Sequence, residues 1–139
     1  MENQKKYNNL SKLVEKLKKS DDSKRKYEYI LWLGKKLKEP NSEILVEENK
    51  VKGCVSEVFV KANIKSGKLF WEGYSDALIT KGLLAFLIIG LNELTPNEVV
   101  KIDKKFIEDT GLKASLTPSR SNGFLNILLK MQAKANEFL

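Results

Sequence analysis

The chain has 139 residues, 42% of them hydrophobic and 31% charged, with a formal net charge of +7. That length and balance suit one folded domain over residues 1–139 and exclude a disordered chain. There is no histidine and only one cysteine, Cys54, which excludes Ser-His-Asp and Cys-His catalysis, histidine-ligated zinc, internal disulfides and a cluster held by this chain alone.

The N-terminus is polar, with no apolar stretch behind it, so no signal peptide is expected and the cytosol is the default compartment. Tyr7, Leu10, Leu13, Val14 and Leu17 recur at helical spacing between lysines, predicting an amphipathic first helix within residues 1–20. Ser20-Asp21-Asp22-Ser23 reads as a stop followed by an N-cap. A second helix with Tyr27, Ile30, Leu31 and Leu37 on one face is closed by Pro40. The acidic segment Asn41 to Asn49 is irregular, and Glu47 to Lys52 is expected as an edge strand, with Gly53-Cys54 at the corner.

The period then changes to two. Val58, Val60, Ala62 and Ile64 alternate with Glu57, Phe59, Lys61 and Asn63, predicting a strand over 55–64 with those four inward. Lys65-Ser66-Gly67-Lys68 is a hairpin turn, and Leu69 to Glu72 pairs back. Ser75 is expected to N-cap the next helix, with Asp76 favourable near its positive end. That helix is apolar nearly all round and should be central; its longest apolar run, Gly82 to Leu91, is ten residues, short of the ~20 that span a membrane. Thr95-Pro96 opens a short helix. Asp103 to Asp109 forms another, stopped by Gly111. Thr117-Pro118 opens the last, with Leu125, Leu128, Leu129 and Met131 inward. One block of strands between helices predicts an antiparallel three-stranded meander packed against helices.

Cys54 is the one strong nucleophile. It sits at a glycine corner in Lys50-Val51-Lys52-Gly53-Cys54, where nearby cations would favour the thiolate; the competing reading is an inert buried cysteine. With no histidine as base, the chemistry must suit a bare thiolate. Thiol–disulfide and persulfide exchange does, because the attack is on sulfur and needs no proton relay. Arg120 stands out in a chain whose 25 basic residues are otherwise lysine except Arg25, and it sits near a helix N-terminus where the dipole disfavours cations. The Ser75-Asp76 pair is the third candidate, against an ordinary helix start. No phosphate loop, dinucleotide turn or calcium loop occurs, so neither a metal nor a cofactor is expected.

Lys50-Val51-Lys52-Gly53-Cys54, then Gly73-x-Ser75-Asp76-Ala77-x-Ile79-x-Lys81-Gly82, then Leu116-Thr117-Pro118-Ser119-Arg120-Ser121-x-Gly123 closely resemble the three signature blocks of the SufE family, the sulfur acceptors of iron–sulfur cluster assembly. The resemblance covers about residues 22–139 and leaves the first helix outside. It implies the two-layer α+β sandwich shared with IscU-type scaffolds. It also implies that Cys54 takes persulfide sulfur from a cysteine desulfurase of the SufS or CsdA type and passes it to the iron–sulfur scaffold complex. The protein would then act as transfer partner and activator of the desulfurase rather than as a stand-alone enzyme. Gly53, Ser75, Asp76 and Arg120 would support the cysteine loop. Val55, Glu57 and Phe59 depart from the family pattern. No membrane partner is implied, and a homodimer stays open.

Two readings compete with this one. Residues 1–39 hold 12 Lys/Arg and 6 Asp/Glu while residues 40–139 hold 13 and 12. The excess charge therefore sits in the first two helices, which would be the contact surface of a nucleic-acid-binding module. A one-cysteine peroxide-reacting enzyme is the other, but it lacks a recognisable motif.

Overall fold

The periodicity of the N-terminal third resolves into two helices. In the computed structural model, which describes residues 8–139, α1 spans Asn8–Lys18 and α2 spans Ser23–Gly34. Leu10, Leu13, Val14 and Leu17 are buried and the lysines between them face solvent, as an amphipathic stripe requires. Tyr7, expected on this helix, lies outside the described residues. Asp22 is the cap of α2: its carboxylate accepts from the backbone N–H groups of Lys24 (2.9 Å) and Arg25 (3.4 Å). The helix stops at Gly34, not at Pro40, because glycine has the highest backbone entropy to lose in a helix. Leu37 therefore lies beyond it, in tight turns whose N–H groups reach back three residues.

The expected edge strand over 47–52 does not form. Glu47–Asn49 coils into a 3₁₀ turn, preceded by another at Ser42–Ile44. Asn49 fixes it: the buried side chain donates to the Ile44 carbonyl (3.0 Å) and accepts from Lys134 Nζ (2.7 Å). Among the described residues, one bridge, Lys50 to Phe59, and the bond from Val51 N–H to the Val58 carbonyl (2.8 Å) pair this segment with the sheet before the chain turns away at Gly53. The sheet is a two-stranded antiparallel hairpin, β1 (Val58–Lys65) and β2 (Lys68–Ser75). Ser66 and Gly67 both have positive φ, 53° and 77°, the turn whose twist matches paired strands. In β1 the inward alternation fades toward the turn: Val58 and Val60 are buried, Phe59 is buried too, and Ile64 is exposed. β2 alternates cleanly instead, with Leu69, Trp71, Gly73 and Ser75 buried.

The helix after the hairpin, α3 (Leu78–Leu91), is the central one and is buried nearly all round. It packs on β2, and α1 and α2 pack on it in turn. At the crossing with α2, a Cβ on Gly82 would collide with the carbonyl of Ile30, so only glycine permits that approach. Thr95 caps α4 (Pro96–Val100) with a full capping box to Glu98. α5 (Lys105–Asp109) follows, and Gly111 takes the left-handed φ of 69° that ends it. The last helix, α6 (Pro118–Asn136), starts at the Thr117 cap. Its inward face is Phe124, Ile127, Leu128, Met131 and Ala135. Leu128 and Met131 are thus as expected, whereas Leu125 is half-buried and Leu129 exposed, one position off the stripe. Phe124 meets Phe86 edge to face at 5.6 Å and Phe106 at 6.4 Å, which joins α3, α5 and α6 in one aromatic cluster. The result is an α+β arrangement of helices on a small antiparallel sheet.

Candidate functional site

Cys54 lies in the loop between Val51 and Val58, both of which are buried and so fix the loop's ends. Gly53, at φ +81°, makes the turn; a side chain there would be strained and its Cβ would come within 2.6 Å of Asn126 Nδ2. That amide instead donates to the Gly53 carbonyl at 3.1 Å. The turn aims the Cys54 thiol at the first turns of α6, where Sγ lies 3.8 Å from the Gly123 carbonyl oxygen and can donate to it. A Cβ on Gly123 would sit 3.5 Å from Sγ, so the thiol rests directly on the bare helix backbone.

The far side of the loop is tied to the start of α3. Asp76 Oδ1 accepts from the Glu57 N–H at 3.0 Å, and the Asp76 N–H donates to the Glu57 carbonyl at 3.3 Å. Ser56 and Thr80 pair through their hydroxyls at 3.3 Å. Asp76 is thus a brace for the cysteine loop through a charge-assisted bond, just ahead of the positive end of α3. Ser75 is not the expected N-cap either. It closes β2, its hydroxyl accepting from the Ala77 N–H at 3.3 Å, and α3 starts at Leu78 behind Ala77 with no side-chain cap.

A cavity of about 320 Å³ opens at the thiol, lined by Cys54, Val55, Ser56, Thr80, Thr117, Ser119, Arg120 and Gly123. Arg120 thus reaches the cysteine's cavity as a cation on its wall. It makes no ion pair with Asp76. Burial pushes the Cys54 pKa up, so the resting group is the neutral thiol, against the thiolate expected from the local sequence. Among the described residues no group of three or more His, Cys, Asp or Glu side chains is placed to hold a metal ion.

The geometry therefore gathers Gly53, Cys54, Asp76 and Arg120 at one place, with Ser75 behind them. Asn126, Ser56 and Thr80 were missed by sequence reasoning. Asn126 could have been found from its spacing: three residues past Gly123 on α6, it falls on the same helix face.

Comparison with known proteins adds an independent line. The family model of SufE, described as an Fe-S metabolism associated domain, matches residues 11–135. The match begins inside α1 and so takes in most of the helix that the sequence resemblance left outside. A SufE-like protein of Synechocystis is 52% identical over 130 residues, covering 94% of this chain and 82% of the relative. A SufE-like protein of Arabidopsis thaliana, named as chloroplastic/mitochondrial, is 40% identical over 91% of this chain, which spans 34% of that relative's length. The cysteine desulfuration protein SufE of Plasmodium falciparum is 33% identical over 77% of this chain and 45% of the relative. The solution structure of a hypothetical protein from Thermus thermophilus superposes with a TM-score of 0.79 at 26% identity, covering 93% of this chain and 94% of that one.

Proposed function

The chain belongs to the SufE family, whose domain is associated with iron–sulfur metabolism, and from that premise we propose that it is a sulfur carrier working through Cys54. The observation that carries the reading is the setting of the chain's only cysteine. It is a half-buried thiol on a short loop, facing a cavity large enough to take one more sulfur atom.

In the proposed step the loop opens and Cys54 loses its proton to solvent. The thiolate then attacks the outer sulfur of a desulfurase Cys–S–SH. The new S–S bond forms to Cys54 while the old one breaks, and the desulfurase cysteine departs as its thiolate. The products are Cys54–S–SH and a free desulfurase thiolate ready for another turnover, so removing the sulfur would stimulate the desulfurase. No oxidant or reductant is consumed. On closing, the loop would return the persulfide to the cavity, where the walls of α3 and α6 limit its access to water and oxidants. Arg120, on the cavity wall, is suited to balance the negative charge of a persulfide anion. Asp76, Asn126 and Gly53 would hold the loop in its closed form, and the sulfur would then pass to the iron–sulfur scaffold complex. A thiol-reducing compartment such as the cytosol suits a cysteine that must stay free. No described helix is long and apolar enough to cross a membrane.

The test is mass spectrometry of the intact protein after incubation with a cysteine desulfurase and free cysteine. A gain of one sulfur atom, lost on reduction and mapped to Cys54, is expected. No gain at saturating desulfurase refutes the carrier role.

A further inference from the structure

Among the exposed large hydrophobic side chains, Val55 and Leu78 stand out: Val55 is 90% exposed and Leu78 78%. Both adjoin residues of the same site. Val55 follows Cys54 directly, and Leu78 opens α3 between Asp76 and Thr80, the two residues that bond to Glu57 and Ser56 of the cysteine loop. Neither position needs an apolar side chain to fold. The first turn of a helix favours polar and acidic residues, and a loop tip favours Gly, Asn, Asp or Ser. Two such residues exposed beside a reactive thiol mark a contact surface rather than scattered surface hydrophobicity.

We propose that Val55 and Leu78 form an apolar grip that seats the cysteine desulfurase over Cys54, Leu78 as its fixed half and Val55 as the half that moves with the loop. This rests on the carrier reading. Direct sulfur transfer brings two sulfur atoms into contact, so the donor necessarily covers whatever surrounds Cys54. A second copy of this chain seated on the same residues would bar the donor. Val55 is the chain neighbour of Cys54 and is exposed, while the Cys54 thiol rests on α6. A partner that grips Val55 therefore draws Cys54 out of its resting place, coupling docking to exposure of the thiol.

The test compares two sulfur sources in the full-length protein. Leu78→Asp keeps a favourable residue at a helix start, so the fold survives. The half-saturating concentration for taking sulfur from the desulfurase should rise about tenfold or more, as for an anchor at an interface centre. Loading of Cys54 by glutathione persulfide, whose outer sulfur moves to the Cys54 thiolate as glutathione thiolate leaves, should stay within about twofold of wild type. Val55→Ser should weaken desulfurase-driven transfer in addition, and the two changes should combine. An unchanged half-saturating concentration for Leu78→Asp overturns the grip while leaving the carrier reading intact. A variant that loses self-association in sedimentation while transfer is unmoved overturns it in favour of a second copy. Wild-type protein that takes sulfur from glutathione persulfide but none from the desulfurase refutes the carrier reading and the grip together.

Discussion

The cysteine loop bonds to Thr80 of helix α3 and to Asp76 just before it, yet different forces hold the helix and the loop. α3 buries 11 of its 14 residues, and that area is removed from water only if the whole fold forms. In the loop over 52–57 no residue is fully buried. A handful of polar bonds hold it, from Asn126, Asp76 and Thr80, each contributing about 0.5–1.5 kcal/mol net. Apolar packing cannot be released in part, whereas a few hydrogen bonds can. The molecule can therefore open its loop locally, at a small fraction of its global stability, and expose Cys54 while the core stays intact.

The sharpest break of this contrast is Cys54→Ser. Sulfur acceptance should fall to nothing, since a hydroxyl cannot form a persulfide, while circular dichroism and melting temperature barely move. A variant that still gains a sulfur atom would relocate the chemistry. Phe124→Ala should do the opposite. It empties the aromatic cluster with Phe86 and Phe106, at a cost of about 3–5 kcal/mol, seen in denaturant titration. Whatever protein remains folded should still accept sulfur.

Asp76→Ala removes the brace at Glu57. It should raise the rate of Cys54 alkylation about two- to tenfold, the factor that about 0.5–1.5 kcal/mol of loop opening gives, with little loss of global stability. An unchanged rate would mean that the loop is held elsewhere. The pH dependence follows from the same closed state. Burial raises the Cys54 pKa, so the fold binds this proton more tightly than the unfolded chain does. The stability from that group is full below the unfolded thiol's pKa and is lost as pH rises through the folded value. The midpoint of alkylation against pH should lie above that of a cysteine peptide, and Asp76→Ala should bring it down. The smallest effect is expected from Gly123→Ala. Its methyl group would meet Sγ at 3.5 Å, an ordinary contact, and alanine gains up to about 1 kcal/mol of helix propensity. The melting temperature should rise slightly and alkylation should slow slightly.

Local pattern made much of this legible. The Thr95-Pro96 helix start, the Ser66-Gly67 turn and the Thr117-Pro118 helix start are each written in contiguous residues and form where expected, and the apolar α3 forms too, though from Leu78 rather than behind a Ser75 cap. The three motif blocks also singled out Cys54, Asp76 and Arg120, which the fold brings to one place, because each stands beside a glycine or a helix start that local signals reveal. Non-local partners decided the rest. The segment 47–52 has the composition of an edge strand, but Lys134, 85 residues away, holds Asn49 and with it the 3₁₀ turn. Leu125 and Leu129 fit the apolar count of α6, yet its rotation is set by Phe124 docking between Phe86 and Phe106.

The sequence by itself determined that the chain has one thiol and no histidine to serve it as a base, and sulfur exchange is chemistry open to such a thiol. Only the tertiary structure decided the thiol's state and its restraints. Lys50 and Lys52 suggest a thiolate when read along the chain, but folding places the sulfur against the backbone of α6, where lost hydration pushes its pKa up and favours the neutral thiol. Asp76 reads as a helix-start residue until β2 and the loop come together and present it with the Glu57 N–H. Desolvation and hydrogen bonding depend on which surfaces meet, and that is set by the packing of distant segments rather than by the order of residues along the chain.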